Sequence, residues 1–304
     1  MGKKIIAGLV LGIAAISLLF ALVLRPYERA PQSSYAGGGK VGVIYIEGAI
    51  AGGSSSIFAA QAGADAVAAT IREAAGRPEL KAVVVRLNSP GGTPAAAQEI
   101  DAELQRLRQA GKVVVASMGD VAASGAYWIA AGADRIVANP GTMTGSIGVL
   151  MQTTNLEELY GKIGIDSETF KSGPYKDMGS TDRPVTPEER AIFQAMIDDI
   201  YDQFVEVVAR GRHMDVDRVK ALADGRVYTG RQALELGLVD QLGDFHDAVS
   251  LAGSLAGIAG EPDIVVLGER NPWQGLLAGI QSELLSGLGG LELLQGDVNG
   301  LNLR

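Results

Sequence analysis

Three short runs of β-branched residues constrain this chain most: VGVIYI (41–46), AVVVRL (82–87) and VVVAS (113–117), each bounded by Gly, Pro or Asn. Runs that are apolar throughout, without an inside-outside alternation, belong to strands covered on both faces, as in a largely parallel sheet. Between them, residues 57–75 and 94–110 carry helical spacing, the second through Ile100, Leu104 and Leu107. Strand, helix, strand in succession predicts right-handed crossover units and an α/β fold. Farther on, Thr186-Pro187-Glu188-Glu189 is a capping box with proline at the first helical position. It predicts a helix to about Arg212 whose apolar face is Ile192, Met196, Ile200, Phe204 and Val207. Shorter helices are expected near 215–223, 230–236 and 244–256, followed by a strand DIVVL (263–267). No fixed-period repeat is present, which excludes solenoids and propellers.

The ends of the chain differ from this body. Ile5 to Leu24 is a run of twenty residues without a charge, flanked by Lys3, Lys4 and Arg25. Twenty residues at 1.5 Å rise span about 30 Å, a bilayer core, whereas the apolar region of a cleaved signal peptide runs only about 7–15 residues. A retained anchor over 1–29 is expected, with a Pro/Ser/Gly-rich tether over 30–40, a folded body over 41–268 and a Leu/Gly-rich tail over 269–304. In the tail Leu276, Leu277, Ile280, Leu284, Leu285 and Leu288 are helically spaced before Gly289 and Gly290. A helix packed on its own body or on a neighbouring subunit is the expected form, because the tail lacks the basic polar face of a membrane-surface helix. Lys3 and Lys4 on one side against Arg25, Arg29 and Lys40 on the other leave the orientation undecided by charge. Without Lys3, Lys4, Arg25, Arg29 and Glu28, 22 basic residues face 34 acidic ones. That excess of negative charge argues against nucleic acid as a partner and keeps the body off anionic headgroups.

Composition narrows the chemistry. There is no cysteine, so disulfides, thiol nucleophiles, iron–sulfur clusters and thiolate zinc sites are excluded, and no cofactor or metal is expected. Only His213 and His246 could supply imidazole. Each lies among charged or polar neighbours, in ARGRH and GDFH, where a surface histidine is the better reading. Glycine is abundant, 41 of 304 residues, nearly twice the average usage of roughly 7 %, and implies many tight turns.

Three glycine-bearing turns follow strands, where a parallel sheet usually holds its site. Asn88-Ser89-Pro90-Gly91-Gly92 could aim backbone N–H groups at an oxyanion, or could simply turn the chain. Val121-Ala122-Ala123-Ser124-Gly125-Ala126-Tyr127 offers one serine among very small residues at the start of an apolar helix, AYWIAA. Ser124 there is either a nucleophile, with Gly125 N–H and the helix dipole facing the developing anion, or an N-cap. A serine hydroxyl needs a base. With the histidines poorly placed, lysine is the remaining type, since desolvation makes its neutral amine available. Lys176, in Lys171-Ser172-Gly173-Pro174-Tyr175-Lys176-Asp177 after the apolar stretch SETF (167–170), read as a strand, is one such lysine.

Taken together, NSPGG (88–92), MGDVAASGAYW (118–128), PGTMTGSIGV (140–149), SGPYKD (172–177) and RVYTGRQALELGLVDQLG (226–243) resemble, in order, the short form of the bacterial signal peptide peptidase A family. The resemblance covers roughly 41–260, with 52 residues from Ser124 to Lys176. It implies a Ser/Lys serine protease with Ser124 as nucleophile, Lys176 as general base, Ser146 orienting that lysine, and oxyanion donors at the backbone of Gly91 and Gly125. Ala126 departs from the pattern, many members having a second glycine there. The resemblance also implies the Clp-protease and crotonase fold group, a spiral of β-β-α units, behind one membrane anchor with the body on the extracytoplasmic side. Remnant signal peptides are the implied substrates. The implied assembly is a homo-oligomeric ring, an octamer as the expected number, with the serine and lysine of one site supplied by adjacent subunits. A crotonase-like acyl-thioester enzyme and a non-catalytic membrane scaffold are the alternatives.

Overall fold

The computed structural model describes residues 39–54 and 61–268. The expected anchor at 1–29, nearly all of the tether at 30–40 and the whole tail at 269–304 lie outside them. Among the described residues no helix is long and apolar enough to cross a membrane.

The β-branched runs form the centre of a mixed α/β body with a mainly parallel sheet. Strands β1 (Lys40–Glu47), β4 (Leu80–Ser89), β5 (Val113–Ala123), β6 (Arg135–Ala138), β9 (Gln241–Leu242) and β10 (Asp263–Leu267) lie in the order β10-β1-β4-β5-β6-β9, every pair parallel. Alternate residues of each central strand go to opposite faces, and both faces are covered. Val41, Val43, Ala82, Val84, Val115 and Val137 pack with Ala248, Val249 and Ala252 of α8 (Phe245–Leu255). On the other side, Ile44, Ile46, Val83, Val85, Leu87, Val114 and Met118 meet α1 (Ala64–Ala75), α2 (Pro94–Gln109) and α3 (Gly125–Ala131). Burying a Val or Ile side chain is worth about 1.5–3 kcal/mol, so these paired valines and isoleucines fix the register on both faces at once.

β5 is longer than its apolar run because it changes partners. Val115–Met118 pair with β6, and beyond the end of that ladder Val121–Ala123 pair with β7 (Met143–Gly145), itself antiparallel to β8 (Val227–Thr229). This second ladder carries the site. Two short strands, β2 (Ala49–Ala51) and β3 (Gln61–Gly63), pair in parallel. The helix expected from residue 57 begins at Ala64, after β3.

Two expectations do not hold. SETF forms no strand: it lies in an exposed stretch with no sheet edge to receive it, and Phe170 is 86 % exposed. The capping box does open a helix, α5 (Pro187–Arg212), with both reciprocal bonds between Thr186 and Glu189 in place. Only its second half has a buried apolar face, however, through Phe204, Val205, Val207, Val208 and Ala209, while Met196 is exposed. The first half continues a stretch, Gly148 to Glu188, in which no residue is buried. That stretch holds α4 (Glu157–Ile163) and exposes Leu150, Ile163, Ile165 and Tyr175 as well as Phe170. Helices α6 (Val216–Leu222) and α7 (Gly230–Glu235) complete the body.

Candidate active site

Three turns meet at neighbouring strand ends. β4 ends at Ser89 and enters Pro90-Gly91-Gly92, β5 ends at Ala123 and enters Ser124, and β7 ends at Gly145 and enters Ser146. Ser89 is in register with Ala122, and Ala123 with Gly145, so the turns lie side by side. Asn88 Oδ1 accepts from Val121 N–H at 3.2 Å where the β4–β5 register shifts, and Thr144 Oγ1 donates to Ala122 O at 2.7 Å. These bonds hold the backbone that presents the serine.

Ser124 has φ 55° and ψ −124°, a conformation that glycine adopts readily and other residues at a cost of order 1–3 kcal/mol. Its backbone is bonded on both sides, N–H to Gly145 O at 2.9 Å and C=O from Trp128 N at 3.0 Å. Its side chain occupies the N-cap position of α3 without accepting a cap bond, so the helix does not consume the hydroxyl. The half-buried serine therefore stands with Oγ unbonded among the described residues.

The Pro-Gly-Gly turn presses directly on it. A Cβ on Gly91, at φ +99°, would sit 2.7 Å from Gly125 N and Ala123 O and 2.8 Å from Ser124 Cβ. A Cβ on Gly92 would sit 1.7 Å from Ile50 O, and one on Gly125 would sit 3.2 Å from Gly92 N. Gly91 was expected to donate to an oxyanion, but its N–H is engaged, donating to the buried Ser89 Oγ at 3.0 Å. Its carbonyl accepts from Ile50 N–H at 2.9 Å. Of the three turn glycines, Gly92 and Gly125 have N–H groups that carry no hydrogen bond among the described residues. Sequence could not distinguish the two turn glycines, because the choice depends on Ser89 capturing the first N–H.

Ser146 follows β7 with φ 50°, its N–H donating to Arg226 O at 2.8 Å and its hydroxyl unbonded among the described residues. Lys176 is not brought to either serine by a hydrogen bond. It is exposed in a turn, where its N–H reaches Gly173 O at 3.3 Å and its Nζ has no polar partner among the described residues. Both histidines are exposed, His213 closing α5 in the left-handed conformation and His246 in the first turn of α8. No group of three or more His, Asp or Glu among the described residues could hold a metal ion.

Beside Lys176 lies a cluster of ion pairs that leaves no local mark in the sequence. Arg183 forks onto Asp177, Nε to Oδ2 at 3.0 Å and Nη2 to Oδ1 at 2.9 Å, and also donates from Nη1 to Glu189 Oε2 at 2.9 Å. Lys171 Nζ donates to the same Asp177 Oδ1 at 2.8 Å. Hydrogen bonds from Arg183 and then Lys171 hold the Asp177 carboxyl well below the usual range, and Arg183 likewise lowers that of Glu189.

The model of peptidase family S49 matches residues 106–259, about half of the chain. A candidate protease of Synechocystis sp. is 53 % identical over 186 residues, 61 % of this chain and 66 % of that protein. Protease 4 of Salmonella typhi is 42 % identical over 230 residues, 76 % of this chain and 37 % of its own length. A candidate signal peptide peptidase SppA of Enterococcus faecium is 44 % identical over 170 residues, 56 % of this chain and 49 % of the relative. The chain thus spans between about a third and two thirds of the length of these relatives.

Proposed function

The chain belongs to peptidase family S49, among the SppA proteases, and from that membership we propose that it is a serine endopeptidase with Ser124 as nucleophile and Lys176 as general base. The observation that supports this most is the arrangement at Ser124: a strained, half-buried serine with an unbonded hydroxyl, pressed against a turn whose Gly92 N–H is open beside that of Gly125. In this reading Gly92 and Gly125 bind the oxyanion, and Gly91 gives the turn its shape.

The neutral amine of Lys176 takes the Ser124 proton as Oγ bonds to the substrate carbonyl carbon, and the two N–H groups stabilise the charge that reaches the carbonyl oxygen. Collapse breaks the C–N bond, and the lysine ammonium gives its proton to the departing amine. Water then attacks the acyl ester, Lys176 takes its proton, and Oγ leaves and recovers that proton to restore serine and amine. Ser146 would hold Lys176 by a hydrogen bond in the assembled site.

Lys176 is exposed and its Nζ has no polar partner among the described residues, which supports a site completed by a second copy in a homo-oligomeric ring. The unburied, apolar-bearing stretch from Gly148 to Glu188 is a suitable junction surface. The parallel ladder continued through β7 suits the proposed spiral of β-β-α units. The apolar run Ile5–Leu24 supports a membrane anchor; kinship with the SppA proteases is what supports a body on the extracytoplasmic side and remnant signal peptides as substrates. Ser124→Ala and Lys176→Ala are each expected to abolish peptide hydrolysis while the protein still assembles. Near-normal turnover by Lys176→Ala would remove the dyad.

A further inference from the structure

The segment that carries Lys176 contains a charge arrangement the mechanism does not yet use. Asp177 adjoins Lys176 in sequence and brings a carboxylate into its neighbourhood. An adjacent carboxylate would hold the amine as ammonium, the form that cannot accept a proton. Asp177 is instead committed elsewhere, to the guanidinium fork of Arg183 and to Lys171. Arg183 is fixed in turn by Glu189, only 2 % exposed, whose Oε2 also accepts from Thr186 N–H at 3.0 Å in the capping box of α5. A third contact, Arg183 Nη2 to Asp177 O at 3.4 Å, fastens the backbone beside Lys176. The clamp of Lys171, Asp177, Arg183 and Glu189 carries two positive and two negative charges. The other titratable groups nearby are Tyr175 and Asp182 in the same segment, Tyr160 of α4 against Thr181, and the exposed Glu188 and Arg190 that flank Glu189.

We propose that Arg183 is a positioning residue for the general base, clamping Asp177 onto the α5 cap so that Lys176 faces a neutral cluster and its amine stays available. This rests on the reading of Lys176 as the base. Removing the positive charge leaves an unbalanced carboxylate beside the lysine, which favours the ammonium over the amine. Removing a negative charge has the opposite effect. A purely structural role for these residues would lower rates without moving the pH dependence in opposite directions.

The test is the acid limb of kcat/KM against pH for peptide hydrolysis by the full chain. Arg183→Gln is expected to move the limb upward by about half a pH unit, the order of one unbalanced neighbouring charge in a watery setting. Asp177→Asn is expected to move it downward by a similar amount. Glu189→Gln keeps the capping-box chemistry, since glutamine also serves there, and is expected to move the limb downward by less, which preserves the test if the other two fold poorly. Arg183→Lys restores the charge and is expected to return the limb toward wild type. Limbs that stay put, or that all move the same way, while Lys176→Ala is inactive, overturn the clamp and leave the dyad standing. An active Lys176→Ala overturns both.

Discussion

Ser124 and Ser146 are the first residues beyond the paired ends of two parallel strands, Ala123 opposite Gly145, and both have left-handed backbones, φ 55° and φ 50°. The Ser124 N–H donates to Gly145 O at 2.9 Å, so the two serine turns are bonded to one another. Two strained non-glycine residues in adjacent turns are maintained only where the surrounding ladder over-determines them. Here β5, β7 and β8 do so.

The strain gives a stability signature separable from activity. Ser124→Gly removes both the hydroxyl and the conformational penalty, whereas Ser124→Ala removes only the hydroxyl. Both variants are expected to be inactive. Ser124→Gly is expected to be more stable than Ser124→Ala by about 1 kcal/mol, or roughly 2–4 °C in Tm for a body of this size, measured by calorimetry.

The Pro-Gly-Gly turn tolerates no side chain. Gly91→Ala puts a Cβ within 2.7 Å of backbone atoms on both sides of Ser124 at φ +99°, and Gly92→Ala drives one into Ile50 O. Each is expected to lose peptidase activity by two orders of magnitude or more, the range for a displaced oxyanion donor. Rates of hydrolysis at matched folded concentration check this.

Acid stability should depend on the clamp. Asp177 and Glu189 have folded pKa values held below their ordinary 3.8 and 4.5 by Arg183. Carboxyls depressed in this way contribute stability that is fully present above about pH 5 and is lost as pH falls through 4 toward their folded values. Tm measured from pH 7 to pH 3 is expected to fall in the wild type and to fall less steeply in Arg183→Gln, which starts lower. Parallel curves would contradict this.

If each site draws its serine and its lysine from adjacent copies, two dead variants should repair one another. Ser124→Ala mixed with Lys176→Ala and reassembled is expected to regain up to about a quarter of the wild-type rate, the share of junctions that random mixing makes complete in a ring of head-to-tail contacts. Leu150→Glu and Phe170→Glu, at side chains 85 % and 86 % exposed, are expected to weaken assembly and make activity depend on protein concentration. Both readouts follow from rate measurements and analytical ultracentrifugation. A mixture with no activity above its parents argues for a site within one chain.

Much of the fold is written in residue type. The valine runs of β1, β4 and β5, the DIVVL strand and the Thr186–Glu189 cap are local signals, because two-sided burial and capping leave marks in consecutive residues. β7 is only Met143-Thr144-Gly145 and exists through its pairing with β5 and β8, a long-range fact with no local trace. SETF and the first half of α5 look apolar enough to be covered, yet nothing within the described chain covers them. At the site the three turns and their serines were legible. The division of labour between Gly91 and Gly92 was not, since it turns on one hydrogen bond to Ser89, and neither was the Arg183 fork, which joins the Asp177 turn to Glu189 at the start of α5.

Whether Ser124 is the nucleophile is decided by exposing the intact protein to a fluorophosphonate and locating the adduct by peptide mass spectrometry. One stoichiometric adduct is expected, on Ser124, absent from Ser124→Ala and slowed as pH drops below neutrality. An unlabelled Ser124 in protein that hydrolyses peptide, or equal labelling of Ser124→Ala, would contradict it.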